Sequence, residues 1–130
     1  MKKIITTIWF GLIASSAWAH EGHDHGSLSA PNGGAVKEGK KLNVELVQEG
    51  KKIKLYPVNR AWKLISPLKD VEMSAQIEFP NKKAETLLLK KETDHFSAEV
   101  DAKGAYRYKM MVSLSVKRVK EDIEFNVEPQ

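Results

Sequence analysis

His20-Glu21-Gly22-His23-Asp24-His25-Gly26 places three of the chain's four histidines within six residues. Imidazole nitrogens at that density can hold a divalent ion. Neutral imidazole suits zinc, copper and nickel, and the order of divalent affinities favours Cu(II) at nitrogen-rich sites. The spacing is not one of the patterns of structural zinc sites. Asp24 and Glu21 add carboxylate oxygens. The competing reading is a solvated polar tail, because any short histidine tract captures divalent ions to some degree.

The residues upstream sharpen that chemistry. Met1-Lys2-Lys3 is a short positive stretch, Ile4 to Ala14 is an apolar run, and Ala17-Trp18-Ala19 fits the small-x-small cleavage pattern of a secretory signal peptide. A membrane-spanning helix needs ~20 apolar residues, and this run is shorter. The pattern therefore predicts a signal peptide over residues 1–19, cleaved after Ala19, and no membrane insertion afterwards. The short Lys-Lys start has a bacterial look and points to the periplasm. Cleavage makes His20 the new N-terminus. Its α-amine, with an ordinary pKa of about 7.7–8.0, then sits beside an imidazole of about 6.5. The two can close a chelate ring on one ion. His23 and His25 follow closely and complete a four-nitrogen set suited to tetragonal Cu(II).

These ligands need a scaffold. His20 to Ala30 is rich in Gly, Ser, His and Asp, with Leu28 its one large apolar residue, and reads as a disordered arm. Pro31-Asn32-Gly33-Gly34 is a turn cluster, so the folded domain is expected over residues 31–130. That length supports one domain with a core of its own. The chain has no cysteine, which excludes disulfides, thiolate metal sites, cysteine nucleophiles and lipid attachment after the leader. The formal charge of +4 falls by two when Lys2 and Lys3 leave with the leader, and lysines and acids are interspersed. Such a mixed surface speaks against nucleic acid as a partner.

Beyond the turn the pattern has period two. Leu42, Val44 and Leu46 alternate with Lys41, Asn43 and Glu45, which are assigned to the wet face. Gln48-Glu49-Gly50-Lys51 reads as a hairpin loop, then Ile53 and Leu55 alternate with Lys52, Lys54 and Tyr56. Asn59 to Asp70 breaks the rhythm; a helical turn is expected around Ala61–Leu64, with Trp62 plugging the core beneath it. Alternation resumes at Met73–Phe79, at Glu85–Lys90 with its Leu87-Leu88-Leu89 run, and at Phe96–Val100. The longest run carries Tyr106, Tyr108, Met110, Val112, Leu114 and Val116 on its core side. A final strand offers Ile123, Phe125 and Val127. About seven strands with frequent turns predict an all-β, antiparallel sandwich of immunoglobulin-like kind.

The folded part offers few further ligands. His95 alternates with Phe96 and falls on the wet face; it is either an exposed strand histidine or a further ligand recruited when the arm folds back. Methionine thioethers can bind Cu(I), but Met73 and Met110 lie on the core side, where packing explains them. Only Met111 faces the other way. No G-x-S-x-G nucleophile turn and no glycine-rich phosphate loop occurs. A copper enzyme built on an N-terminal histidine needs a second ligand held rigidly, whereas His23 and His25 share the arm with His20. The expectation is therefore a binding protein and not an enzyme.

Ala30-Pro31-Asn32-Gly33-Gly34-Ala35-Val36, the segment Leu42-Asn43-Val44-Glu45-Leu46, the hairpin, and Lys54-Leu55-Tyr56 carry a resemblance. Together they resemble a small periplasmic β-domain found alone or at the N-terminus of adaptor subunits of heavy-metal efflux systems of the resistance–nodulation–division type. The match covers roughly the first forty residues after the leader. It implies a metal-handling role beside a periplasmic efflux adaptor. Where that family often has histidine, this chain has Asn32 in the turn and Lys41-Leu42-Asn43 at the first strand, so those positions cannot ligate in the same way. No adaptor hairpin, lipoyl-like or barrel segment follows, which implies a stand-alone domain. A looser resemblance is to periplasmic copper carriers of β-sandwich fold whose N-terminal histidine binds copper. The resulting expectation is capture of Cu(II) or Zn(II) by His20, His23, His25 and Asp24, with His95 as a further candidate. The rival is an interaction module that pairs through an edge strand, in which the histidines are incidental.

Overall fold

The computed structural model describes residues 30–130. The expected leader, residues 1–19, and all but the last residue of the expected arm, residues 20–30, lie outside the described residues. The first described contact is the turn itself, where the Gly33 amide donates to the Ala30 carbonyl at 3.0 Å.

Nine strands follow: β1 (Ala35–Lys37), β2 (Asn43–Glu49), β3 (Lys52–Val58), β4 (Val71–Glu78), β5 (Glu85–Leu87), β6 (Lys90–Lys91), β7 (Phe96–Glu99), β8 (Tyr108–Val116) and β9 (Val119–Val127). There is no helix among the described residues. The strands form two antiparallel sheets, one ordered β1-β2-β3-β7-β6 and the other β5-β4-β8-β9. The all-β sandwich read from period-two alternation is thus the fold observed, with nine strands in place of about seven. Two features account for the difference. β1 is only three residues long, too short for alternation to announce it. Glu85–Lys90, which reads as one strand, is divided between β5 and β6.

β4 shows most plainly how sequence makes the layer. Val71, Met73, Ala75 and Ile77 point inward and are buried, while Glu72, Ser74, Gln76 and Glu78 are exposed. Tyr108, Met110, Val112 and Leu114 of β8 continue the inner surface, as do Ile123, Phe125 and Val127 of β9. Val44, Leu46, Ile53, Leu55 and Phe96 face them from the other sheet. Burial of these side chains, each worth about 1.5–3 kcal/mol, is what holds the two sheets together.

The margins are tied. At one, Leu87 of β5 pairs with Ala75 and Lys90 of β6 pairs with Ser97, so a single stretch of chain crosses from sheet to sheet. Leu87 and Leu89 pack against the core, and Leu88 between them is 86% exposed. At the other margin the Lys40 and Lys41 amides donate to Glu121 at 2.7 and 3.2 Å. Gln48 Nε2 donates to the Glu128 carbonyl at 3.0 Å.

Three local expectations are corrected. No helical turn forms at Ala61–Leu64. Asn59 Oδ1 accepts the Ala61 and Lys63 amides at 2.9 and 3.0 Å, and Leu64 bridges to Val58. The asparagine side chain offers these amides an acceptor that competes with a helix. Trp62 is held at φ 62°, half-buried and outside the core cluster, so it is not a core plug. Tyr106 precedes β8 and is 72% exposed; its ring lies 5.3 Å from the Arg107 guanidinium instead of facing inward.

Candidate functional site

His20, His23, His25 and Asp24 lie outside the described residues. The fifth candidate ligand, His95, lies on the outer face of the five-stranded sheet just before β7. The Glu92 amide donates to the His95 carbonyl at 2.8 Å and closes the turn that presents the ring. The side chain is 17% exposed, less than a wet-face histidine would be. Two neighbours hold it. Its Nδ1 lies 2.6 Å from Asp94 Oδ1, and its ring lies 4.9 Å from that of Tyr56 at 34°. With Nδ1–H donated to the carboxylate, Nε2 carries the lone pair. That is the tautomer and orientation in which histidine ligates a metal.

The register extends this pair into a row. Val36 pairs with Glu45, Glu45 with Tyr56, and Leu55 with Phe96, which brings Tyr56 opposite His95. Glu45 is expected on a wet face, yet it is 0% exposed. Its Oε1 accepts the Asn32 amide at 2.8 Å and the Gly34 amide at 3.1 Å. Oε2 accepts the Asn32 amide at 3.1 Å and Asn32 Nδ2 at 3.3 Å. The carboxylate is therefore the peg on which the Pro31–Gly34 turn hangs. Gly34 is required there, since a Cβ would run into the Leu46 carbonyl oxygen and the Val47 side chain. Burial raises the Tyr56 phenol above its ordinary pKa and keeps it protonated. Asn43, also assigned to the wet face, is 2% exposed, and its Oδ1 has no hydrogen-bond partner among the described residues.

Sequence reasoning singled out His95 but missed this buried polar row. Alternation assigns Asn43, Glu45 and Tyr56 to the outer face correctly, and nothing in alternation says that an outer face is covered. The Pro31–Gly34 turn motif, whose Asn32 and Gly34 lie thirteen and eleven residues before Glu45, carried no sign of its acceptor.

The remaining candidates do not assemble into a centre. Met73 and Met110 are in the core, as packing requires. Met111 lies half-buried on the outer face of the other sheet, between Gln76 and Glu124. Among the described residues no three of His, Asp and Glu come together as a metal-holding group. His95 with Asp94 therefore offers one oriented nitrogen, and a tight site there needs donors from elsewhere. Comparison with protein-family models, curated proteins and solved structures returns no match to this chain.

Proposed function

We propose that the protein is a periplasmic metal-binding protein. It captures Cu(II), Zn(II) or a similar ion with His20, His23 and His25, aided by Asp24, and hands it to a heavy-metal efflux system. The observation that carries this reading is the placement of three histidines within six residues directly after a signal-peptide cleavage pattern. Cleavage there adds the His20 amine to the donor set. The orientation of His95 by Asp94 is consistent with a further nitrogen on the folded part.

Calorimetric titration of Cu(II) and Zn(II) into the chain starting at His20, beside one starting at Ala30, tests it. Among the described residues the core side chains run from Leu42 to Val127, and the shorter chain keeps all of them. Stoichiometric sub-micromolar binding that disappears in the shorter chain is the expected result. Binding no tighter than that of free histidine defeats the reading.

The second reading is an interaction module, and β9 favours it. This nine-residue strand sits at the edge of its sheet and has main-chain groups to offer an added strand. Glu121 engages the Lys40 and Lys41 amides and the Glu128 carbonyl accepts from Gln48, which guards the two ends of that edge. Absent metal binding, together with capture of a defined partner that a proline at Glu124 abolishes, would favour this module.

A further inference from the structure

Six non-glycine residues among the described residues have positive φ, and three of them line one hollow at the tip of the β8–β9 hairpin. They are Asp70, Lys117 and Arg118. The Lys117 amide donates to the Asp70 carbonyl at 3.1 Å and ties the tip to the start of β4. This backbone region is strained for a residue with a Cβ, and such strain gathers at ligand clamps. Asn-Gly closes a two-residue loop without that strain. The chain instead places long cations at both positions.

The charges here are unevenly matched. Lys117, Arg118 and Lys120 form no ion pair among the described residues. The neighbouring Glu72 carboxylate is already met by Lys91 Nζ at 2.7 Å. Asp70 is the other acid lining the hollow, so three uncompensated cations face one uncompensated carboxylate. A second hollow, of about 380 Å³, adjoins the first and shares Glu72, Ser115 and Lys120 with it. Two cross-strand rows on the outer face of the four-stranded sheet build it, Glu72–Ser115–Lys120 and Ser74–Ser113–Asp122. Short serines form its floor, and the Ser113 hydroxyl donates to Asp122 Oδ1 at 2.8 Å. Every side chain facing outward in these rows is polar. No aromatic residue lines either hollow, which speaks against a stacked nucleobase.

We infer that this trough binds a phosphorylated sugar, with its phosphate at the hairpin tip and its hydroxyls over the serine floor. A phosphate monoester carries about 1.5 to 2 negative charges at pH 7, which matches the excess of cations. The Arg118 guanidinium can meet two phosphate oxygens side by side, and Lys117 and Lys120 add point charges. Sugar hydroxyls donate to the Asp122 and Glu72 carboxylates and accept from Ser113 and Ser115. A neutral sugar leaves the cations unanswered, and inorganic phosphate leaves the serine floor unused. The site stands independently of metal capture by the histidines.

Glucose 6-phosphate titrated into the chain from His20, followed by backbone amide shifts in NMR, tests the site. The expected result is saturable shifts confined to Ser113, Ser115 and residues 117–122. Binding should be at least about tenfold tighter than that of glucose or of inorganic phosphate, and it should weaken as salt rises. Lys120→Gln should raise the Kd at least about tenfold. Arg118→Gly should raise it as much while melting no lower than the parent, because glycine relieves the left-handed backbone. Affinity lost without stability lost separates a ligand role from a structural one. Ser113→Ala should weaken glucose 6-phosphate and leave inorganic phosphate unchanged. The site is overturned by the absence of saturable shifts, or by shifts spread over lysines elsewhere in the fold. Unchanged affinity in both Lys120→Gln and Arg118→Gly overturns it too, as does inorganic phosphate binding as tightly as the sugar ester.

Discussion

A carboxylate on the outer face of a sheet ordinarily points into water. Glu45 instead points into a turn and satisfies two backbone amides there. Hydrogen bonds to a charged acceptor contribute about 1.5–3 kcal/mol each, before the cost of burying that charge is set against them. Glu45→Ala should therefore lower stability by about 2 kcal/mol in denaturant titration, and it should free the Pro31–Gly34 turn to proteolysis before the sandwich unfolds. An unchanged midpoint with an intact turn would contradict the role given to this residue. A second residue-scale effect is electrostatic. Tyr108 is buried against Phe79, ring centroids 5.4 Å apart, and burial pushes its phenol up to about 12. In the unfolded chain that group ionises near pH 10. The folded state thus binds its proton more tightly, and the stability from this linkage is present below pH 10 and is lost as pH rises towards 12. Tyr108→Phe removes the ionising group, so the variant should lose less stability than the parent between pH 10 and 12. Parallel alkaline melting curves for the two would argue against this linkage.

At the scale of elements, the β8–β9 hairpin combines a long ladder with an ill-suited turn. Nine residue pairs run from Tyr108–Val127 to Val116–Val119. The loop between them is Lys117-Arg118, with φ of 46° and 71°. Two-residue hairpin loops of this kind prefer Asn-Gly because both positions need positive φ, which costs a residue with a Cβ about 1 kcal/mol. The ladder and its inward side chains outweigh that local cost. Arg118→Gly should raise the unfolding free energy by about 1 kcal/mol, measured by chemical denaturation, without altering the sheet. A destabilised variant would mean that the arginine side chain contributes contacts that offset its backbone strain. The β5–β6 crossing shows the converse. There Leu87 of β5 and Leu89, in the link just before β6, both pack against the core, and the chain between them turns Leu88 outward.

On the scale of the molecule, the sandwich is a stable platform with one distinctive face. The core is apolar and continuous between the sheets, while the row of buried Glu45, buried Tyr56 and half-buried His95 lies outside it. Under the proposed function, metal binding involves imidazoles that must lose their protons first. With ordinary histidine pKa near 6.5, Cu(II) or Zn(II) affinity of the chain from His20 should fall steeply as pH drops from about 7.5 to 5. An affinity that stays flat over this range would exclude histidine ligation.

Much of the architecture was legible before the fold. Strict alternation in Val71–Ile77 and Tyr108–Leu114 determines strands with one apolar side, and two such surfaces must meet to exclude water. The histidine cluster, the lack of cysteine and the turn at Pro31–Gly34 are equally properties of the sequence. Local patterns also set the limits of that reading. They gave no sign of β1, whose three residues belong to a strand only because β2 lies beside them. They misplaced Tyr106 and Trp62, whose side chains follow turn geometry and not strand parity. Above all, periodicity assigns a side chain to a face but says nothing of what covers that face. Tertiary structure alone decided that Glu45 would meet the Asn32 and Gly34 amides, and that Asn43 would be buried. It also decided that His95 would stack on Tyr56. Each depends on the meeting of segments distant in the chain, and alternation along one strand carries no record of its neighbours.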